Sequence, residues 1–310
     1  FMIRRFFEDE ITEEGEKIDN GYLFDGLAIT ECGEEILKHQ QQYPVIFMSL
    51  KSAKQDDFQI AYAKLCREIA DEFRRHRYVL LDDCLSKGQK EAYQKIMERQ
   101  ADYEAYSGAL KFLSECLYRY HKKNVIILID EYDVPLENAY FRGFCDEMIS
   151  FIRSLFESAL KTNPYLEKSV ITGCLRISKE SIFTGLNNLE VDSVLHTRYP
   201  DSFGFTEEEV QAMLAYYDLS EELPEVKQWY DGYLFHAIEI YNPWSILKYV
   251  NDRKDKVTEF ALPYWSNTSS NSIIREMVGE ADEEAREDLE TLINGGTIEK
   301  RVHEDITYGD

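Results

Sequence analysis

Two adjacent acids follow an apolar run near the middle of the sequence, and their types and spacing could do chemistry. Residues 125–129 are all apolar and mostly β-branched, Asp130 and Glu131 come directly after them, and Asp133 follows two residues later. Short apolar runs of this kind are typical of buried strands in parallel sheets. Ligands of such sheets bind beyond the carboxyl ends of the strands, so the acids are predicted to lie at a binding edge.

A strand that ends in Asp-Glu is also the Walker B pattern of phosphate-loop ATPases. In that pattern the first acid holds Mg²⁺, usually through water, and the second polarises the attacking water. Asp130 would then bind the metal and the nucleotide, and Glu131 would be catalytic. Asp133 would either support Asp130 at the nucleotide or only begin the next turn. The alternative is a buried strand that ends in two solvated acids, a pattern that often arises by chance.

A second set of candidate residues follows another short apolar segment, residues 169–172. Thr172 ends this predicted strand and could contact the γ-phosphate or the attacking water as a catalytic residue. The basic residues Arg176, Lys179 and Arg153 could stabilise the charge of a transferring phosphoryl group. We predict Arg176 as catalytic and Lys179 as nucleotide-binding. The plainer alternative is a threonine that ends a strand and basic residues that face solvent.

A phosphate site normally also needs a glycine-rich loop with a Lys and a Ser or Thr. No G-x-x-x-x-G-K-[ST] occurs in the 310 residues, because neither Gly26 nor Gly33 is followed by the required Lys. Either the loop lies upstream of Phe1, where we expect the natural N-terminus, or the protein has none. Triad hydrolase chemistry is disfavoured, because no Ser lies in a G-x-S-x-G motif and the six histidines stand in no recognisable catalytic context.

Composition narrows the classes of partner. The chain has 59 acidic and 35 basic residues, a formal net charge of −24, which opposes non-specific binding to nucleic acid and to anionic membranes. No stretch approaches the 18 apolar residues that indicate a transmembrane helix. The six cysteines are dispersed without a C-x-x-C pair, which is typical of reduced thiols and predicts a cytoplasmic protein.

The elements that must position these residues alternate between strand and helix. Residues 43–50, 124–129 and 169–172 are predicted strands, separated by amphipathic helices, so the fold class is α/β with a parallel, doubly wound sheet. Asp56 is predicted to cap a helix that runs to about residue 77, and Ser86 and Ser107 to cap two more. At the N-terminus, Met2, Ile3, Phe6 and Phe7 are predicted to share one helical face, with Arg4 and Arg5 on another. A further helix is predicted over residues 144–161.

The pattern changes after about residue 205, which divides the chain into predicted domains 1–205 and 206–310. Thr206 and Glu209 form a capping box, and Pro243 is predicted to begin a later helix. Residues 229–235 are predicted to form a turn between short strands, with Asp231-Gly232 at the turn. The aromatic residues here could stack nucleobases. The core of a small domain is the preferred interpretation, because no basic residue interleaves with them.

Taken together, these segments resemble the predicted AAA-ATPase-like proteins of bacteria and archaea, which are often fused to a C-terminal PD-(D/E)xK-type nuclease domain. The resemblance covers nearly the whole chain. The matching stretches are Tyr43-Pro-Val-Ile, Ile127-Leu-Ile-Asp-Glu-Tyr-Asp133, Ile171-Thr-Gly173, Ser181-Ile-Phe-Thr-Gly-Leu-Asn-Asn188, Gly204-Phe-Thr-Glu-Glu-Glu209, Trp229-Tyr-Asp-Gly-Tyr233, Tyr241-Asn-Pro-Trp-Ser245 and Tyr264-Trp-Ser-Asn-Thr-Ser-Ser270.

The resemblance implies a P-loop NTPase-like parallel sheet sandwiched by helices, followed by a smaller, mostly helical, winged-helix-like part. It implies ATP and Mg²⁺ as cofactors, Asp130 and Glu131 as the Walker B acids, and Thr172 as a sensor residue. In the family a Walker A loop precedes a helix like residues 2–8, so we expect that loop upstream of Phe1 and a nuclease domain after Asp310. The 310 residues alone would then be inactive.

Three classes of function follow. The intact protein is expected to hydrolyse ATP and to switch a nuclease domain or a protein partner, with nucleic acid contacted only indirectly and no membrane partner. The alternative is a degenerate ATPase fold that serves as a non-catalytic binding or regulatory module. A third class, the nuclease itself, would need residues beyond this chain, because no Asp…Glu-x-Lys cluster stands on a predicted strand pair.

Overall fold

The computed structural model describes residues 1–174, 182–183, 189–266, 278–279 and 282–300. Contacts divide the chain into two compact units, and their boundary in the sequence lies between Asn188 and Leu189. The change in sequence pattern comes later, after residue 205. The first unit contains a three-stranded parallel sheet with helices, which is an α/β arrangement compatible with a P-loop-like fold. The second unit contains helices and a two-stranded sheet.

The first unit contains eight α-helices and three strands among the residues that the structure describes. These are α1 Met2–Phe7, α2 Glu34–Leu37, β1 Val45–Ser49, α3 Phe58–Arg75, α4 Lys87–Met97, α5 Tyr103–Ser107, α6 Ala109–His121, β2 Val125–Asp130, α7 Val134–Arg142, α8 Cys145–Phe156 and β3 Leu166–Ile171. A π-helical turn, Glu157–Lys161, continues α8, and short 3₁₀ turns occur at Gly21–Phe24, Ala28–Glu31, Lys51–Ala53 and Arg77–Leu80.

The three strands form one sheet in the order β1-β2-β3, and all neighbours are parallel. The predicted parallel sheet is therefore confirmed, although β2 extends to Asp130 and β3 begins at Leu166. The register places Ser49 opposite Asp130, and Ile129 opposite Ile171. Apart from Asp130, every residue of the central strand β2 is buried, as its unbroken apolar sequence requires of a strand covered on both faces.

Helix caps follow the sequence only in part. The Ser86 capping box at the start of α4 is confirmed, whereas α3 is capped by the neighbouring Asp57 and not by Asp56. The predicted Ser107 cap is wrong. Ser107 is the last residue of α5, where its hydroxyl donates to the carbonyl of Glu104, and α6 begins after Gly108 without a side-chain cap. The hydroxyl thus bonds backwards into its own helix.

The predicted apolar face of α1 is also wrong. Phe6 is buried, but so is Arg4, while Met2 and Ile3 are exposed. Arg4 is buried because its guanidinium pairs with the buried carboxylate of Glu8, with 2.7 Å between Nε and Oε2. A charged side chain is tolerated inside when a hydrogen-bonded partner of opposite charge comes with it.

The two edges of the sheet differ. On the outer edge of β1, the Glu72 carboxylate accepts a hydrogen bond from the Phe47 amide at 2.8 Å, and Arg75 and His76 donate to the Val45 carbonyl at 2.6 and 3.1 Å. All three side chains come from the end of α3 or its C-cap. On the other side, within the described part of the chain, β3 pairs only with β2. The β1 edge is therefore closed by side chains, and the β3 edge is open over the described residues.

The second unit contains α9 Glu207–Tyr216, α10 Leu223–Tyr230, β4 Tyr233–Phe235, β5 Ile238–Ile240, α11 Pro243–Lys254 and α12 Glu283–Ile293, with a 3₁₀ turn at Ser220–Glu222. The Thr206 capping box and the helix starting at Pro243 are confirmed. The core of this unit consists of buried residues from α9, α10 and α11 and from the segments after β5 and α11: Val210, Leu214, Val226, Tyr230, Tyr241, Ile246, Tyr249, Val250 and Ala261.

The predicted turn at Asp231-Gly232 is wrong. Trp229 and Tyr230 belong to α10. The antiparallel pair β4–β5 turns directly after β4, at residues 236–237, and His236 has φ of +52°. Residues up to Tyr230 are helical because Val226 and Tyr230 lie one turn apart and are both buried in the core of the unit.

No helix in the ranges that the structure describes is long and apolar enough to cross a membrane.

Candidate functional site

The carboxyl ends of the strands bring together side chains that lie far apart in the sequence. Asp130 ends β2 and is exposed, and Thr172 directly follows β3. The Thr172 hydroxyl donates a hydrogen bond to Oδ1 of Asp130. Beside them, the Thr172 amide donates to the Ile129 carbonyl at 2.9 Å, and the Tyr132 amide donates to the Thr172 carbonyl at 3.1 Å. Backbone pairing thus continues past the strand ends and fixes the two side chains against each other.

Glu131 is held from the opposite neighbouring strand. Its Oε2 accepts a hydrogen bond from the Ser49 hydroxyl at 3.4 Å, and its Oε1 lies 3.6 Å from Nζ of Lys51. The Lys51 side chain is 77% exposed, so this ion pair is screened by water and contributes little to stability. Asp130 is therefore oriented by β3 and Glu131 by the end of β1, which keeps the two adjacent carboxylates apart.

The backbone of Glu131 is in the left-handed region, with φ of +55°. A residue other than glycine rarely adopts this conformation, and it costs on the order of 1–3 kcal/mol. The strained residue lies between the end of β2 and the start of α7. Such strain often accompanies functional sites, because it directs a side chain that regular structure would direct elsewhere.

Asp133 lies behind the two acids and is only 2% exposed. Its Oδ2 accepts a hydrogen bond from the Cys174 amide at 2.8 Å, and its carbonyl accepts the first helical bonds of α7 from Leu136 and Glu137. The side chain ties the turn after β2 to the turn after β3. This position suits support of the site rather than direct contact with a nucleotide.

Gly173 allows the two turns to approach this closely. A Cβ at this position would lie 2.7 Å from both Oδ1 of Asp133 and Cε1 of Tyr132. Both neighbours are buried, and Tyr132 also packs edge-on against Phe183 with 5.2 Å between ring centroids. Neither side chain can easily yield, so this position requires glycine.

Cys174 follows directly and is the nearest thiol to the acids. Partial burial, followed by the negative charges of Asp133 and Glu131, raises the pKa of the Cys174 thiol. A raised pKa keeps the sulfur protonated near neutral pH, and the thiolate is the reactive form. The raised pKa therefore disfavours Cys174 as a nucleophile.

Not every predicted site residue can be placed. Arg176 and Lys179 lie outside the described residues, between Cys174 and the buried Ile182, and their roles remain predictions. Arg153 lies in the last turn of α8. The structure thus brings together Asp130, Glu131, Asp133 and Thr172 of the predicted set.

A metal at this edge would need ligands from a bound molecule. Over the described ranges, no three Asp, Glu, His or Cys side chains gather as a metal site. Mg²⁺ does not require such a cage, because it is usually held by one or two carboxylates, waters and substrate phosphates. The exposed Asp130 carboxylate with the Thr172 hydroxyl beside it supplies the oxygen atoms that Mg²⁺ prefers. The residues present therefore fit a Mg²⁺–nucleotide complex and not a permanent all-protein metal centre.

Comparison with known proteins decides the family. The family model described as "Predicted AAA-ATPase" matches residues 2–183, which is more than half of the chain and includes all strands of the parallel sheet. The chain belongs to this AAA-ATPase-like family. The match includes Asp130, Glu131, Asp133 and Thr172, so the acidic edge of this AAA-ATPase-like sheet lies inside the family region.

A curated relative extends the comparison. The chain is 30% identical over 164 residues to the uncharacterized protein in the vnfD 5′ region of Azotobacter chroococcum mcd 1. The aligned part covers 51% of this AAA-ATPase-like chain but only 30% of the relative. No solved structure matches the chain.

Three residues of the site escaped the sequence analysis: Ser49, Lys51 and Gly173. Ser49 could have been found, because it ends the first predicted strand and the carboxyl ends of parallel strands share one edge. Lys51 comes two residues later and would follow by the same reasoning. The role of Gly173 depends on how closely Asp133 and Tyr132 pack, and nothing in the sequence shows that distance.

Proposed function

We propose that this chain carries the Walker B acids of a Mg²⁺-dependent ATPase. The observation that carries the proposal is the bond from Thr172 to Asp130 at the carboxyl ends of two adjacent parallel strands, with Glu131 next in sequence. Membership of the AAA-ATPase-like family supports nucleotide binding at this edge. The oxygen chemistry of the edge supports Mg²⁺ as the accompanying ion.

The two acids have different roles in this proposal. Asp130 would hold the water shell of Mg²⁺, which would neutralise charge on the nucleotide phosphates when bound. Thr172 keeps the Asp130 carboxylate in one orientation through its hydroxyl. Glu131 polarises the water that attacks the γ-phosphate, and Ser49 and Lys51 determine which way its carboxylate points. Asp133 supports the site by accepting a hydrogen bond from the Cys174 amide, which joins the turn after β2 to the turn after β3.

The sequence contains no G-x-x-x-x-G-K-[ST], so in this proposal the phosphate cradle is supplied by a segment other than these 310 residues. The open edge of β3 is suited to accept the additional strand that would carry such a loop, whereas the β1 edge is occupied by Glu72, Arg75 and His76. A strand at β3 would also bring its loop next to Thr172 and Asp130.

We further propose that hydrolysis switches an attached nuclease domain or a protein partner in the cytoplasm. Its support is the resemblance described above and the length of the relative, of which the aligned region is only 30%. The helices α9 to α11 and the short β4–β5 pair support a winged-helix-like second part.

A non-catalytic binding module is the second candidate. It is favoured by the absence of a phosphate loop from the sequence and by the engagement of Glu131 with Ser49 and Lys51, which occupies its carboxylate. The two candidates differ in one measurable property, because only the ATPase loses turnover when the Glu131 charge is removed.

The deciding experiment compares single variants of the natural full-length protein. Glu131→Gln should retain Mg·ATP binding while turnover falls by about 10²–10⁴-fold, since a general base typically contributes that much. Asp130→Ala should weaken binding and turnover together. Glu91→Gln, the same charge change on the exposed face of α4, is the matched control and should leave both unchanged. Unchanged hydrolysis by Glu131→Gln, or equal and mild losses in both site variants, would favour the non-catalytic module.

A further inference from the structure

The second unit contains an open cavity of about 440 Å³ whose lining is rich in aromatic side chains. Trp229, Tyr233 and Trp265 line it and are 49%, 45% and 47% exposed, so each presents ring surface to solvent. Tyr230 and Tyr264 lie deeper in the lining. A volume of this size suits a large side chain or a short stretch of peptide.

Hydrogen bonds hold the aromatic lining in place. The Tyr230 hydroxyl donates to the Leu262 carbonyl at 2.9 Å and accepts from the Leu262 amide at 3.2 Å, which joins the end of α10 to the segment that carries Tyr264 and Trp265. The Tyr264 hydroxyl donates to Oδ2 of Asp252 on α11 at 2.8 Å. These bonds join α10, α11 and the segment of Tyr264 around the cavity.

The charged residue of the cavity lining is acidic. Asp231 is the acidic residue of the lining, and no Lys or Arg occurs among the lining residues that the structure describes. The sequence of this unit, residues 189–301, contains 24 acidic and 10 basic residues. Such a surface repels phosphate-bearing ligands and attracts cations, and aromatic faces attract cations through their quadrupole.

Two other aromatic rings of this unit form cation–π contacts with lysine side chains. Nζ of Lys248 lies 5.4 Å from the ring centroid of Trp244, and Nζ of Lys254 lies 5.5 Å from that of Tyr217. Trp244 is as exposed as the cavity tryptophans but is not among the lining residues, so it provides an internal comparison. A ligand at the cavity would supply from outside the positive charge that Lys248 supplies to Trp244.

We propose that this cavity binds an arginine side chain of a peptide partner. The planar guanidinium stacks on Trp and Tyr faces and donates to a carboxylate at its edge, a combination that Trp229, Trp265 and Asp231 provide together. The proposal does not depend on ATP hydrolysis, since every residue that carries it lies in the second unit.

The test uses the natural full-length protein and two synthetic peptides. The first is acetyl-Gly-Ser-Arg-Gly-Arg-Ser-Gly-amide, and the second has citrulline, a neutral isostere, in place of both arginines. Calorimetric titration in about 0.15 M salt screens long-range attraction between the acidic protein and the basic peptide. The arginine peptide should bind saturably and at least about tenfold more tightly than the citrulline peptide, because cation–π and carboxylate contacts need the charge.

Variants locate the site. Trp229→Ala and Trp265→Ala should each weaken arginine-peptide binding by about 3- to 30-fold, as loss of a cation–π contact predicts. Trp244→Phe, outside the lining, should leave binding unchanged. Asp231→Asn should weaken binding, whereas Asp218→Asn, the same charge change on an exposed residue of the same unit, should not.

Other results would overturn the proposal. Equal binding of the two peptides, or no binding of either, removes the role of the cation. Equal effects of Asp231→Asn and Asp218→Asn indicate general attraction by an acidic surface. Saturable binding of AMP at this cavity, lost in Trp265→Ala and stronger than that of the arginine peptide, would assign the rings to base stacking instead.

Discussion

Asp130 and Glu131 show how two adjacent side chains of the same chemical type acquire different surroundings. Residues that are neighbours in an extended strand direct their side chains to opposite sides. Here Asp130 is bonded to Thr172 beyond β3, while Glu131, in its left-handed conformation, reaches Ser49 at the end of β1. The separate partners therefore hold the two carboxylates in different orientations.

The contact with Ser49 leads to a prediction for the full-length protein. Ser49→Ala removes the hydroxyl that fixes Oε2 of Glu131, and one such hydrogen bond is typically worth about 0.5–1.5 kcal/mol. If Glu131 orients the attacking water, kcat for ATP should fall by roughly 2- to 10-fold with KM unchanged, as measured by phosphate release. A change in KM alone would show that Ser49 serves nucleotide binding rather than the position of Glu131.

Gly173 carries a prediction about stability. Gly173→Ala places a methyl group 2.7 Å from atoms of the buried Asp133 and Tyr132, so the turn after β3 must move away from the turn after β2. Overpacking of this kind costs typically about 1–3 kcal/mol in the free energy of unfolding, which urea denaturation measures.

The matched control for Gly173 is Gly88 in α4, where a Cβ meets no atom within 4 Å. Gly88→Ala should be neutral or should stabilise the protein by up to about 1 kcal/mol, because alanine favours the helix over glycine. If Gly173→Ala and Gly88→Ala have the same stability, the close approach of the two turns is not needed.

At the scale of elements, the end of α3 closes one edge of the sheet. Glu72 and His76 are buried, and Arg75 reaches Glu8, Glu72 and the Val45 carbonyl. Charged side chains on an edge strand are a recognised way to prevent further strands from pairing there. Over the described residues, the edge of β3, on the side of Thr172, pairs with no further strand.

This charged cluster predicts how stability depends on pH. Burial acts to raise the pKa of Glu72, but the charge and hydrogen bonds of Arg75 outweigh it and hold that pKa below its usual value of 4.5. Burial, assisted by the charge of Arg75, lowers the pKa of His76 below 6.5. In both cases the unfolded chain binds protons at a higher pH than the folded chain does.

The free energy of unfolding should therefore fall in two stages as the solution is acidified. The first loss begins below about pH 6.5, where His76 becomes protonated only when unfolded, and the second begins below about pH 4.5, where the same holds for Glu72. Urea denaturation between pH 8 and about pH 3 follows the first stage and the start of the second. His76→Gln should remove most of the first stage and keep the second, and a wild-type stability that is flat between pH 7 and pH 5 would contradict the role of His76.

How far the elements could be predicted depends on the signal that each one leaves in the sequence. The three parallel strands were predictable, because buried strands leave unbroken apolar runs. The helical end of α10 was not, since Asp231-Gly232 is a strong local turn signal and only burial of Val226 and Tyr230 in the core of the unit overrides it. The buried Arg4 was missed for a similar reason, because its ion-pair partner Glu8 becomes visible only in three dimensions.

The candidate site was also predictable only in part. The rule that ligands bind at the carboxyl ends of parallel strands led to Asp130 and Thr172, which the structure joins by a hydrogen bond. The partners of Glu131 and the need for Gly173 depend on side-chain direction and on a left-handed backbone, and hydrophobic patterning carries no information about either.

At the scale of the whole molecule, net charge and the presence or absence of a phosphate-binding loop together determine how tightly these 310 residues should bind ATP. The formal net charge of −24 opposes the approach of a polyanion, and the sequence has no glycine-rich loop with the Lys that would offset it. Asp130 and Thr172 can contribute oxygen atoms around Mg²⁺, but most of the affinity for a nucleotide comes from backbone amides and a lysine around its phosphates.

We therefore expect the 310-residue chain to bind Mg·ATP weakly or not at all, with Kd above roughly 1 mM, which corresponds to about 4 kcal/mol of binding free energy. Calorimetric titration with and without Mg²⁺ measures this, and the natural full-length protein titrated in parallel is the control. Tighter binding by that protein would agree with a cradle supplied at the edge of β3. Micromolar affinity in the 310 residues, lost in Asp130→Ala, would instead mean that the described edge binds phosphates by itself, and the β3 edge would then have another purpose.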